Sequence, residues 1–416
     1  MARRKPERQI KKLVTAFYYR LLSAETKIPL FYSKCSLATL SEHAGSMEEL
    51  ERVQANFVEM LQANQPIIGS SCRLVCPETN EPILTYLAER VLSEKEYDTP
   101  LPASTLLEDK SFHVEYIEDR RKEGNKIIND GFRPDLINRF AESATYLAAF
   151  SRPNKYKSAS HHGEEAKYGT VVHRFPLESG VPWTDDPKKA RLFRNKLPEP
   201  GVVYSDNGGK DGVETAGLFH FSEGWEQCGH KGKALYQSKD MNHTSTACTA
   251  TSAFYEANSL IEQHISSIVQ VFWPDHHEEL ERAREAARTV KGEGGCFNSR
   301  AIIYKLPSIP HCDDGDTDVS VSFPAGTFEG GYMYIPQLGL IFEYKPSTVI
   351  AFRASKIFHV VGDWESPPMK ATDSIPPGRI GTVFYFPELS LKTLRGKEPG
   401  WALNTNYGRT PSSSAT

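Results

Sequence analysis

The chain has 416 residues and a net charge of −4, and its 39% hydrophobic and 25% charged content is that of an ordinary globular protein of one large or two smaller domains. No apolar run approaches the roughly 20 residues that cross a bilayer, and the start at Met1–Val14 lacks the apolar core of a secretory signal, so no membrane partner is expected. The slight acidity excludes a bulk polyanion binder, and any nucleic-acid surface must be local.

Residues 1–150 read as mainly helical. They open on a basic run, Arg3, Arg4, Lys5, Arg8, Lys11 and Lys12, whose ordinary reading is a solvated face. Ile10–Leu22 has apolar residues at helical spacing. Ser46 and Glu49 have capping-box spacing at the head of a second amphipathic segment through Val53, Phe57, Met60 and Leu61. Cys72 and Cys76 bracket a short apolar piece and have no second pair at zinc-finger spacing. Glu81–Leu92 and Pro134–Phe150 are predicted as further helices.

Residues 151–250 change character. Gly, Pro, Asp, His and Lys are frequent, and only short β-like pieces such as Thr170–Phe175 and Gly217–Phe221 interrupt them. A loop-rich segment is predicted, suited to a substrate-binding insert. His161-His162-Gly163-Glu164 inside it reads as loop. Lys188, Lys189, Arg191 and Arg194, with Lys196, form a second basic stretch that is the candidate for holding phosphates, with a solvated face as the alternative.

Thr251–Trp273 shows a strong helical period, and a charged helix follows it to Val290. The ligand-like run Asp275-His276-His277-Glu278-Glu279 reads as the acidic opening of that helix. After Gly295 the period becomes two. Strands are predicted at Ser299–Leu306, Val319–Phe323, Gly331–Ile335, Leu340–Tyr344, Thr348–Phe352 and Ile380–Phe386. The expected fold is α+β: a double-stranded β-helix (jelly-roll) core within residues 251–400, flanked by helices, with a largely helical N-terminal part. Residues 401–416 read as a tail, disordered from Pro411 to Thr416. The seven cysteines, odd in number and scattered, argue for reduced thiols in the nucleus or cytosol.

His311-Cys312-Asp313 follows directly on a predicted strand. Side chains at i and i+2 share a face of extended chain, so both can point at one ion. His359, in Lys356-Ile-Phe-His-Val-Val361, would supply a third ligand from the other end of the barrel. Two histidines and one carboxylate on one face of a metal leave positions open, as non-haem iron(II) requires for a co-substrate and dioxygen. Arg379 precedes the apolar strand Ile380–Phe386. Its two-donor fork suits a carboxylate such as the far end of 2-oxoglutarate.

The block His311-Cys312-Asp313, Gly326–Gly339 with its Gly330-Gly331 pair, Ser347–Ser355, His359 and Gly378-Arg379 resembles the 2-oxoglutarate/iron(II) dioxygenases. Within them it is similar to the TET/JBP branch that oxidises nucleic-acid bases, over roughly Asn298–Pro387. The resemblance implies iron(II) on His311, Asp313 and His359, with Arg379 as the 2-oxoglutarate clamp. It implies Asp316 as the contact to the target base, a role its carboxylate could fill by accepting from an exocyclic amine. Asp314 and Asp318 read as solvated turn residues and as the alternatives for that role. Asn298 and Arg300 would contact co-substrate or substrate, and it stays open which of them faces inward. Gly381 stands where many relatives have Ser or Thr, and Thr382 is the substitute for that second carboxylate contact. The cysteine-rich module of animal TET enzymes is missing, which suggests a compact protist- or fungus-like form.

The expected activity is oxidation of a methyl group on a modified DNA base flipped out of the duplex, with dioxygen as co-reactant. 5-Methylcytosine is the first choice, with N6-methyladenine or thymine as alternatives. A monomer in the nucleus is expected, or in the cytosol. The rival readings are a prolyl-hydroxylase-like oxygenase acting on a protein or small molecule, and an inactive nucleic-acid-binding protein on the same fold.

Overall fold

The computed structural model describes residues 4–92, 97, 99–151, 153, 171–194, 197–225, 235–242, 244–289 and 294–409. The strand pattern after Gly295 is realised closely, as Ser299–Tyr304, Ser320–Thr327, Met333–Ile335, Leu340–Phe342, Val349–Phe352 and Gly378–Tyr385. Nine strands form one sheet in the order Gly217–Ser222, Ser299–Tyr304, Gly378–Tyr385, Ser320–Thr327, Val349–Phe352, Pro82–Leu87, Cys72–Val75, Leu30–Tyr32 and Leu101–Pro102. A smaller sheet orders Leu340–Phe342, Met333–Ile335 and Val360–Val361. The chain is α+β.

Side-chain alternation assigns the two faces of the large sheet. Ile302, Val321, Phe323, Ala351, Ile380 and Phe384 pack under the helices Arg4–Glu25, Pro134–Ser151 and Ser245–Phe272. The last of these is the main support: Phe254, Ile261, Ile265, Ile268 and Phe272 recur at helical spacing and are buried. Each such side chain contributes roughly 1.5–3 kcal/mol by leaving water. On the opposite face Tyr86, Ile350 and Phe352 pack against Met333, Ile335, Leu340 and Phe342 of the small sheet. Helices, large sheet and small sheet are thus three layers with two cores.

Three expectations are corrected. Glu81–Leu92 forms strands Pro82–Leu87 and Glu89–Val91, not a helix. Ile83 to Leu87 are all buried because this strand is covered on both faces, and a continuous apolar run of that length does not distinguish helix from strand. Gly217–Ser222 is an edge strand of the large sheet, paired throughout with Ser299–Tyr304, rather than an isolated piece of a loop-rich segment. The start of the expected tail is ordered: Trp401–Asn404 is a short helix, with Ala402 buried and Gly400 N–H donating to Glu285 O at 2.8 Å.

Other readings hold. Ser46 caps Met47–Gln62, and Pro274 opens the helix that carries Asp275 in its first turn. His276 and His277 serve locally there: His277 Nε2 lies 2.9 Å from Ser266 Oγ. Cys72 and Cys76 are buried free thiols. Among the described residues no helix is long and apolar enough to cross a membrane. His161-His162-Gly163-Glu164, Lys196 and Pro411–Thr416 lie outside the described residues.

Candidate functional site

His311 and His359 sit opposite each other in a short antiparallel bridge, His311 N–H donating to His359 O at 3.1 Å and His359 N–H to His311 O at 2.9 Å. The bridge brings their rings to 4.4 Å between centroids. Asp313 is held by its N–H donating to Ala354 O at 3.0 Å, just past the Val349–Phe352 strand. Its carboxylate then spans the two imidazoles, with Oδ1 3.8 Å from His311 Nε2 and Oδ2 3.8 Å from His359 Nε2. The three ligand atoms lie within 4.8 Å of one another, and among the described residues this is the one His/Cys/Asp/Glu group with metal-binding spacing.

Each ring is fixed by its other nitrogen. His311 Nδ1 donates to Ile309 O at 2.7 Å and His359 Nδ1 to Ile357 O at 3.0 Å, which leaves both Nε2 lone pairs toward Asp313. Phe352 packs edge-on against the His359 ring at 4.8 Å. Burial pushes the intervening Cys312 thiol up to about 12, and its Sγ donates to Ala354 O at 3.3 Å, apart from the His311, Asp313 and His359 group. Two imidazoles and one carboxylate fit a hard-to-borderline divalent ion with open positions.

The three ligands open into a cavity of about 430 Å³, walled by Leu218, His220, Trp225, Ile303, Val383 and Tyr385 among others. Arg379 lies at this cavity, 5% exposed. Its guanidinium packs 5.2 Å from the Tyr344 ring centroid and 5.8 Å from that of Phe328. No carboxylate pairs with it among the described residues, and its buried Nε has no hydrogen-bond partner. Burial pushes the group down to about 10, partly offset by Tyr344, so it remains cationic at neutral pH. A buried, unpaired cation is costly, and a ligand carboxylate would relieve that cost.

The glycines of the neighbourhood make room for this arginine. A Cβ on Gly381 would stand 3.1 Å from Arg379 Nη1, and one on Gly331 would meet Arg379 Cδ at 3.3 Å while its φ is +69°. A Ser or Thr at 381 would therefore crowd the guanidinium here. Thr382 lines the cavity, but its hydroxyl donates to Ala301 O at 3.1 Å and is fully buried, so it does not replace that contact. Ser322 also lines the cavity, but its hydroxyl donates to Thr382 O at 2.9 Å and hydrogen-bonds to the Tyr344 hydroxyl.

Asn298 and Arg300 both point away from the cavity. They alternate with Ala301 and Ile303, which face it. Asn298 Nδ2 donates to Gly224 O at 3.3 Å. Arg300 pairs with Glu262 of the long helix at 2.6 Å, its guanidinium 4.0 Å from the Tyr255 ring centroid. Arg300→Ala would strand a buried carboxylate and is expected to cost about 3–5 kcal/mol of stability, read by denaturant unfolding. An unchanged midpoint would contradict that placement.

Asp316 lines the cavity, with its N–H donating to Asp313 O at 3.0 Å. Desolvation, then Asp313 and Asp314, hold its carboxyl well above the usual range, a shift that a cation on Asp313 would oppose. Asp314 is exposed at the same mouth. Asp318 is a structural node: it meets Arg353 at 2.7 Å, Lys356 at 2.8 Å and His276 at 3.5 Å. Lys188, Lys189 and Arg191 are exposed, Lys189 lying 3.5 Å from Asp186, and Arg194 is on the same edge of chain.

Sequence reading missed His220, Trp225, Ser322, Tyr344 and Tyr385. His220 Nδ1 lies 3.1 Å from the Tyr385 hydroxyl. A signal existed for Ser322: in Val319-Ser-Val-Ser-Phe323 the serines alternate with the core residues and so face the other side.

No protein-family model matches the sequence, and no curated protein matches it. Among solved structures, the chain is similar to NgTET1 in complex with 5mC DNA at a TM-score of 0.36 and 14% identity, over 85% of this chain and 93% of that one. It is similar to OsALKBH1 at a TM-score of 0.21 and 17% identity, over 30% and 63% respectively. A protein from Caulobacter crescentus assigned to the 2OG-Fe(II) oxygenase family gives 0.26 and 11%, over 60% and 73%.

Proposed function

We propose that the chain is an iron(II)- and 2-oxoglutarate-dependent dioxygenase on a double-stranded β-helix, acting on the methyl group of a modified base in DNA, with 5-methylcytosine first. The observation that carries the oxygenase reading is the convergence on one cavity of the His311, Asp313 and His359 triad and a buried Arg379 with no carboxylate partner among the described residues. When bound, iron(II) would let dioxygen act as the oxidant of a substrate C–H bond, with 2-oxoglutarate as the second reductant that leaves as succinate and carbon dioxide.

The protein's part is positioning and exclusion of water. Arg379 would clamp the far carboxylate of 2-oxoglutarate through its planar fork. His311 and His359 would present their Nε2 atoms to the ion, their rings being fixed by the Nδ1 bonds. Support for a planar substrate comes from the Trp225, Tyr385 and His220 wall and from Asp316 at the mouth, where it can bond an exocyclic amine. The exposed Lys188, Lys189 and Arg191 are available for phosphates. A monomer acting in the nucleus belongs to the same reading.

The test is incubation with DNA carrying 5-methylcytosine, N6-methyladenine or thymine, read by mass spectrometry of nucleosides and by succinate release. Oxidised 5-methylcytosine with stoichiometric succinate is expected. Succinate released only with a peptide or small-molecule substrate would move the activity to that class, and no succinate at all would end the enzyme reading.

A further inference from the structure

The first turn of the helix Met47–Gln62 lies against the back of the metal site. Leu50 and Val53 pack on Phe358 and Cys312, which are chain neighbours of all three candidate ligands. Glu49, at the third position of this helix, would in a complete capping box reach back to the Ser46 N–H. Only half of that box forms. Ser46 Oγ accepts from Glu49 N–H at 3.2 Å, but Ser46 N–H donates to His43 O at 3.2 Å.

The Glu49 carboxylate turns inward instead, 5% exposed. It accepts from Gln337 Nε2 at 2.8 Å and is braced by Arg52 through Nε at 2.9 Å and Nη2 at 2.6 Å. Gln337, 6% exposed, sits in the turn between Met333–Ile335 and Leu340–Phe342, and its Oε1 accepts from Phe358 N–H at 2.7 Å. Its two partners fix the amide's orientation, since a backbone N–H only donates and a carboxylate only accepts. The peptide unit that gives the Phe358 N–H also carries the Ile357 carbonyl, and that oxygen accepts from His359 Nδ1 at 3.0 Å. One rigid planar peptide therefore joins the two bonds.

All three bonds run in the same direction, from the His359 imidazole to the Glu49 carboxylate. Each polarises the next, and the charge at the far end makes His359 Nε2 a stronger donor to a cation. A carboxylate behind a metal-bound histidine is a familiar way to fix its tautomer and basicity. Here it acts through two amides. We infer that Glu49 and Gln337 are positioning residues for His359, so that the N-terminal helix Met47–Gln62 is part of the metal centre. The inference rests on the reading that His311, Asp313 and His359 hold a metal.

The test is titration of the full-length metal-free chain with Co(II) alone, followed by visible absorption, for wild type, Glu49→Gln, Gln337→Leu and His311→Ala. Glu49→Gln keeps an acceptor for Gln337 and removes the charge together with one of the two acceptors for the exposed Arg52. Its Co(II) affinity is expected to fall about tenfold, and that of Gln337→Leu up to about 100-fold, with displaced absorption bands in both. The thermal midpoint of metal-free Glu49→Gln should stay near wild type, which separates the effect from a folding defect. Wild-type Co(II) affinity and bands in Glu49→Gln overturn the inference, and that variant decides alone if Gln337→Leu does not fold. A wild-type chain that takes up no Co(II), or a His311→Ala chain that binds as well as wild type, overturns the metal centre and the inference with it.

Discussion

His311→Ala and Asp313→Ala are expected to abolish metal uptake and turnover while leaving the chain folded. The physical reason is that the two side chains serve the cavity and not the core. They are 14% and 16% exposed, and the backbone contacts that fix their segment, His311 with His359 and Asp313 with Ala354, survive truncation. Losing one of three ligands should exceed the roughly 100-fold that loss of an outer hydrogen-bond partner alone can cost in metal affinity. Asp313→Ala has a further consequence in the metal-free protein. Asp313 is one of the charges that holds the Asp316 carboxyl above its usual range, so its removal relieves a like-charge cluster. The metal-free variant is therefore expected to unfold at the wild-type temperature or slightly above it. Co(II) titration, succinate release and thermal unfolding check the three parts, and turnover retained by either variant would sink the metal assignment.

The candidate ligand group was legible because the chemistry demands residue types that propensity does not explain. A His-x-Asp after a strand, a His before another, and an Arg at the head of a third form an order that packing alone has no reason to produce. The strands between them were legible by their period. What could not be read was facing. Arg300 occupies, and Asn298 directly precedes, a strand that does border the cavity, yet both fall on the side away from it, and for Arg300 the register with Phe384 decides that. A one-residue change of phase exchanges the two faces, and no local signal sets it. Pro82–Leu87 was hidden for a related reason: a strand covered on both faces loses its alternation. Tyr344 and the Glu49–Gln337 pair come to the site from other segments of the chain, and only the packing of the two sheets and the helix Met47–Gln62 brings them together.

Arg379→Met is expected to raise or leave unchanged the stability of the ligand-free chain while removing its response to 2-oxoglutarate. The arginine is buried with no carboxylate partner among the described residues, so the folded protein bears the cost of a desolvated cation that an apolar side chain of similar length would not incur. That cost makes sense only if a ligand relieves it. Loss of a desolvated, fork-to-carboxylate contact should weaken 2-oxoglutarate binding by about 2–5 kcal/mol, at least ~30-fold in affinity. Wild type with Co(II) should gain about 2.7 kcal/mol of stability at 2-oxoglutarate concentrations near 100 times its Kd, and Arg379→Met at most about 0.9 kcal/mol at the same concentration. Arg379→Lys separates charge from shape: it keeps a cation in the pocket but presents a single point donor, and should recover only part of the affinity. A Met variant that is strongly destabilised without ligand, yet still stabilised by 2-oxoglutarate, would mean that Arg379 is a structural cation and that the co-substrate's carboxylate is held elsewhere in the cavity.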